Sequence, residues 1–310
     1  MKKLITTIFI FSCLVFSFSQ SVNILPKWKE GDSFNLIINK KRTDIRENVS
    51  PKIIKFSTNA FIKVIKTNND GSLTFSYTTD FNNLSENKIT NEILKDFIDE
   101  NKNLEILYKV SEVGNFVEIE NWSEVSQKIT KFTNSFGNYI KKRFDKKTLE
   151  LMSWEELSKF LTSKQFIEQN SIKEIQYFHY LYGVSLIKGE PLKTETLLPN
   201  NFGGNPIKAD LIVDLEEFRD DVAKISLTQR LNQNDVKEML LAFLKKVKFS
   251  NKDFTEVFKR AEYKIDDDAT FLFNEKLGVF EKTNFTRHIK FIIDKEKGER
   301  FDEMEIVLNK

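Results

Sequence analysis

The sequence predicts an α+β protein: an antiparallel β-sheet built from hairpins, of the curved half-barrel kind, with a helical insertion at about 121–183. Three observations predict it. Short stretches of alternating apolar and polar residues come in pairs around turn signals such as Asn68-Asn69-Asp70-Gly71. Between two groups of such pairs lies a block whose apolar residues recur at helical spacing. Hairpins and helices are grouped rather than interleaved as βαβ units, which favours antiparallel over parallel pairing.

The elements follow in order. After a loose start over 20–29, Ser33 to Asn39 reads as a short strand opened by Gly31-Asp32. Lys55 to Lys66 and Leu73 to Tyr77 alternate on either side of the Asn-Asn-Asp-Gly turn and make a hairpin. Glu86 to Asn101 carries Ile89, Ile93, Leu94 and Phe97 on one helical stripe. Leu104 to Ser111 and Phe116 to Glu120 form a second hairpin turning at Val113-Gly114-Asn115. The insertion opens at Asn121-Trp122-Ser123-Glu124, with Glu three residues after the cap, and the pattern repeats at Ser153 and Ser171. Gly183 is placed to stop its last helix. Leu192 to Leu198 is a strand, and Lys208 to Leu215 with Val222 to Leu231 is a third hairpin around 216–221. Gln233 to Val247 and Asn251 to Arg260 are helical, the second opened by Ser250. The chain ends in a meander over 269–274, 279–293 and 300–308.

Residues 1–19 have the form of a cleavable secretory signal. Lys2 and Lys3 precede an apolar run over 4–18, and Ser17 and Ser19 are small residues at −3 and −1 of a cut between Ser19 and Gln20. The run is about 15 residues, short of the ~20 that a spanning helix needs. The expectation is export to the periplasm or beyond. Lipid anchoring through Cys13 is the alternative, and it is disfavoured by the bulky Phe11 and by the apolar residues that continue past the cysteine. What remains is one α+β domain over 20–310 with the insertion inside it, and no second apolar stretch long enough to be a transmembrane segment.

Composition narrows the chemistry. The whole chain has 48 Lys+Arg against 46 Asp+Glu, and removal of Lys2 and Lys3 balances the two at 46 each. A neutral chain with interspersed charges has no electrostatic footprint for nucleic acid. Cys13 is the only cysteine, so the exported part has none for disulfides, thiolate metal sites or a cysteine nucleophile. Two histidines, His179 and His288, have no partner at metal spacing, and no G-x-S-x-G or P-loop is present. No catalytic residue, metal ligand or cofactor is therefore assigned. Acidic groups at 216–217, 220–221 and 266–268 read as turns or strand ends, where Asp is favoured by its solvation and its local hydrogen bonds.

The dense aromatics of the insertion are the remaining candidates. Such a stripe is more often core than ligand site, although tyrosines among them want partners for their hydroxyls. The general plan, a sheet with helices over one face, looks like that of the bacterial lipoprotein-carrier half-barrels. The likeness is of architecture and no residue motif carries it. It implies that Phe132, Phe136, Tyr139, Tyr177 and Phe178 face a cavity between sheet and insertion. The expected function is non-catalytic binding of an apolar ligand or an envelope protein partner. The alternatives are a structural envelope component, or a carboxylate-based hydrolase of an envelope polymer using Glu217, Asp220 or Asp221.

Overall fold

A computed structural model describes residues 20–80, 104–143, 145, 149–200, 202, 204–294 and 296–309. The signal segment over 1–19 and the helix expected over 86–101 lie outside the described residues. Eleven strands form one antiparallel sheet in the order β6-β5-β4-β3-β2-β13-β12-β11-β10-β9-β8. They are β2 (Ser33–Arg46), β3 (Val49–Thr67), β4 (Leu73–Asp80), β5 (Glu105–Val110), β6 (Phe116–Ile119), β8 (Leu192–Leu198), β9 (Ile207–Arg219), β10 (Val222–Leu231), β11 (Glu262–Asn274), β12 (Val279–Ile293) and β13 (Glu296–Asn309). Two meanders meet where β13 pairs with β2, and every other neighbour in the sheet is also a neighbour in sequence.

The helices are α1 (Trp122–Arg143), α2 (Trp154–Leu161), α3 (Lys164–Phe166, continued by a π-turn over 167–171), α4 (Lys173–His179), α5 (Gln233–Lys246) and α6 (Lys252–Arg260). The first four make up the insertion, which links β6 to β8, the two edges of the sheet. It therefore has to cross the full width of the sheet, and it does so over one face.

That face is concave, as one side chain shows. The β5–β6 turn and the β11–β12 turn lie six strand spacings apart, about 29 Å in a flat sheet. Yet Tyr182 reaches both. A Cβ on Gly114 would lie 2.7 Å from Tyr182 Cβ, and the Tyr182 hydroxyl donates to the Gly278 carbonyl at 3.0 Å. The sheet curls around α4 and the turn after it without closing, since β6 and β8 stay unpaired to each other.

Alternation drives the curl. Along β3, Thr58, Ala60, Ile62 and Val64 point inward and are buried, while Phe61 and Lys63 point outward. The core of this end collects Leu36, Ile38, Phe75, Tyr108, Phe271 and Phe273 from the sheet and Ile175, Phe178 and Tyr182 from the insertion. A second cluster joins Val236 of α5 to Ile207, Tyr263 and Ile265, with Phe258 of α6 packed on it. Phe160 of α2, Phe202 and Phe243 of α5 pack tilted and edge-on at 4.8 to 6.0 Å and tie the insertion to α5.

Four local expectations change. Residues 20–29 are not loose: β1 (Ser21–Asn23) pairs with β7 (Ser185–Ile187), and Ile24 exchanges backbone bonds with Gly183 and Val184. Trp28 then packs edge-on to Phe75, His179 and Tyr182 at 4.6 to 5.4 Å, a burial that outweighs the low strand propensity of the segment. The acidic run 266–268 lies inside β11 rather than in a turn, because cross-strand cations neutralise it. Glu216 and Glu217 likewise belong to β9, and the turn is Asp220-Asp221 alone, both at positive φ (51° and 62°) as a two-residue hairpin loop requires. Ser153 caps α2 as expected, whereas Asn251, not Ser250, caps α6.

Gly114 has φ of +99°, and its missing side chain is the space that Tyr182 occupies. Gly114→Ala combines a left-handed backbone with overpacking and is expected to cost about 3 kcal/mol. Urea unfolding of the variant measures it, and a loss under about 1 kcal/mol would mean that Tyr182 does not hold the two turns together.

Candidate binding site

The throat of the half-barrel is filled. His179 sits among Trp28, Phe75, Tyr108 and Phe178, with Nδ1 donating to the Gly114 carbonyl at 2.9 Å and Nε2 accepting from the Tyr108 hydroxyl at 3.1 Å. The carbonyl can only accept, which fixes the neutral tautomer. Burial pushes the His179 pKa down from 6.5 to about 3, against the pull of the Gly114 bond. This histidine is a core group with both nitrogens satisfied. His288 is on the outer face, stacked on Phe301 at 4.1 Å and bonded to Glu299 at 2.8 Å.

At the other end the inner face is only half covered. There the register places a row of charges straight across the sheet: Asp267 of β11 faces Arg287 of β12, which faces Asp302 of β13, which faces Arg42 of β2. Arg287 grips Asp267 with two parallel bonds, Nε to Oδ1 and Nη2 to Oδ2, both 2.7 Å. Arg42 Nε donates to Asp302 at 2.7 Å, and Arg300 reaches Asp302 at 3.3 Å and Asp44 at 3.7 Å. Burial lowers the Arg287 pKa, but the Asp267 bonds and charge more than offset it, and the guanidinium ends above its ordinary value.

Helix α4 closes over one side of this row. Its Glu174 pairs with Lys40 of β2, Tyr177 stacks on Phe285 of β12 at 4.2 Å, and the Tyr180 hydroxyl, just past the helix, accepts from Gln229 of β10 at 3.5 Å. Lys173, at the start of α4, has no carboxylate within ion-pair distance among the described residues. Burial and the nearby Arg287 charge lower its pKa, with Asp267 and Asp302 opposing them. Burial likewise raises the Tyr177 hydroxyl. Half-buried apolar side chains flank the charges: Phe285, Ile289 and Phe291 on β12, Met304 on β13, and Ile54 and Phe56 on β3.

The mouth thus carries charge in the middle and apolar surface on either side. No family model matches the chain, and no curated protein matches it significantly.

The five sequence candidates fall in three places. Phe178 points into the throat, nearly parallel to Trp28 at 6.1 Å, and is fully buried. Tyr177, the next residue back, turns to the mouth. The first turns of α1 reach the main core through Trp122, Val125 and Ile129. Its later turns carry Phe132, Phe136 and Tyr139 toward α2, where Phe136 packs on Phe132 at 6.2 Å and on Trp154 at 6.0 Å, and Arg143 lies over the Tyr139 ring at 4.3 Å. The structure brings together Tyr177 and a set that sequence reasoning missed: Lys40, Arg42, Lys173, Arg287, Asp267 and Asp302. The one local signal was the alternation Phe285, Arg287, Ile289, Phe291, which puts an arginine on an otherwise apolar strand face.

The acidic alternatives separate. Asp266 and Asp268 project from the outer face to Lys264 and Arg230, opposite to Asp267, so the three cannot share one ion. Glu217 and the exposed Asp220-Asp221 turn lie at the throat end, remote in the strand register from the charged row. Among the described residues no group of three or more His, Cys, Asp or Glu is placed to hold a metal, and no helix is long and apolar enough to cross a membrane.

Proposed function

We propose that the protein binds an apolar ligand non-catalytically on the concave face, outside the cytoplasm. The observation that carries this reading is the half-covered mouth. Curling an antiparallel sheet around α4 buries one end of the concave face completely, but leaves Phe285, Ile289, Phe291, Met304, Ile54 and Phe56 half-buried at the other. Apolar groups on a concave surface with a few fixed polar groups between them are the usual make-up of a small-molecule site. Export is supported by the signal-like 1–19.

Native mass spectrometry of the protein made in an exporting bacterial host tests both parts. The expected spectrum shows a chain beginning at Gln20 and carrying adducts that organic extraction removes. A bare chain, together with no uptake of a fluorescent apolar probe, would overturn the binding reading. Retention of 1–19 would overturn export.

A further inference from the structure

The charges at the mouth are not evenly matched. Lys40 pairs with Glu174, Arg42 and Arg300 share Asp302 and Asp44, and Arg287 is held by Asp267. Among the described residues Lys173 is left over; it is half-buried, one helical turn before Tyr177 on the same face of α4, and close enough to Arg287, Asp267 and Asp302 to feel their charges. Confining a cation without a carboxylate beside an arginine is unfavourable in the free protein, and a bound anion would relieve it. The Tyr177 hydroxyl adds a donor: its ring is fixed by the stack on Phe285, and it feels the Arg287 charge. No other described residue takes a hydrogen bond from it. Apolar side chains border this group on both sides, Phe285 and Met304 toward the throat, Ile289 and Phe291 away from it.

We infer that the ligand is an amphiphile with an anionic head, a carboxylate or a phosphate, and that Lys173, Arg287 and the Tyr177 hydroxyl hold the head while the chain lies along β12 and β13. Lys173 supplies the net charge, Tyr177 supplies one directed bond, and Arg287, already committed to Asp267, contributes through its remaining N–H groups. The inference rests on the apolar-ligand reading above and adds the chemistry of the head to it.

Isothermal titration calorimetry of the purified protein with myristate, myristyl phosphate and myristyl alcohol separates the two claims. The expected result is that the better of the two anions binds at least tenfold more tightly than the alcohol, equivalent to about 1.4 kcal/mol. Lys173→Met should bring that anion to the affinity of the alcohol and leave the alcohol unchanged, while Lys173→Arg should retain most of the difference. Tyr177→Phe should weaken the anion a few-fold. The preferred anion identifies the head as carboxylate or phosphate. Equal binding of anions and alcohol, unaltered by Lys173→Met, would overturn the head site and leave the apolar-ligand reading standing. Absence of binding by all three would overturn both.

Discussion

Arg287→Met is expected to destabilise the protein by about 3 kcal/mol, and Asp267→Asn by about half of that. The asymmetry follows from burial. The Asp267 side chain is 3% exposed and the Arg287 side chain 29%. Removing the arginine strands a carboxylate that water cannot reach, whereas removing the carboxylate leaves a guanidinium that can still turn partly to solvent. Replacing both, as Asp267→Leu with Arg287→Met, should recover most of the loss, because the pair repays little more than its own desolvation. Urea unfolding of the three variants checks this. Equal losses in the two single variants, or a double variant as unstable as their sum, would mean that the pair is not buried as described.

The second large effect is an acid limb of stability set by His179. In the unfolded chain this histidine takes up a proton near pH 6.5, and in the folded chain only near pH 3. Between those values the unfolded state holds the extra proton, so stability falls as the pH falls. The slope reaches about 1.4 kcal/mol per pH unit and none of it is present above pH 7. His179→Gln, whose amide can still donate to the Gly114 carbonyl and accept from the Tyr108 hydroxyl, should be less stable at pH 7 but should lose that slope between pH 6 and pH 4. Parallel profiles for the two proteins would show that His179 is not the group responsible.

How much of this was legible in the sequence depends on how local the signal was. The hairpins at 68–71 and 113–115 and the helical insertion were readable because turn chemistry and periodicity lie within a dozen residues. The segment 20–29 was not, since β1 finds its partner in Ser185–Ile187 and Trp28 its neighbours in β2, β4, α4 and the turn after α4. The three consecutive aspartates looked like a turn for the same reason. Their strand conformation depends on Arg230 and Arg287, residues that the sequence places well away on either side. For the site, the aromatic spacing of the insertion could not separate the buried throat from the half-buried mouth: Phe178 and Tyr177 are adjacent and face opposite ends of the half-barrel. The charged row was hidden because its members come one each from β2, β11, β12 and β13, and only the register aligns them.

If the half-covered concave mouth takes the proposed ligand, a reactive ligand should mark that surface and no other. Photo-crosslinking with a diazirine-bearing long-chain fatty acid, followed by peptide mapping, tests it most directly. Label is expected on the peptides that carry Tyr177, Phe285, Ile289, Phe291 and Met304, reduced by excess unlabelled ligand. Label on the outward-facing Ile53 and Phe61 of β3, or on Leu197 and Ile212 at the β8 edge, would contradict it.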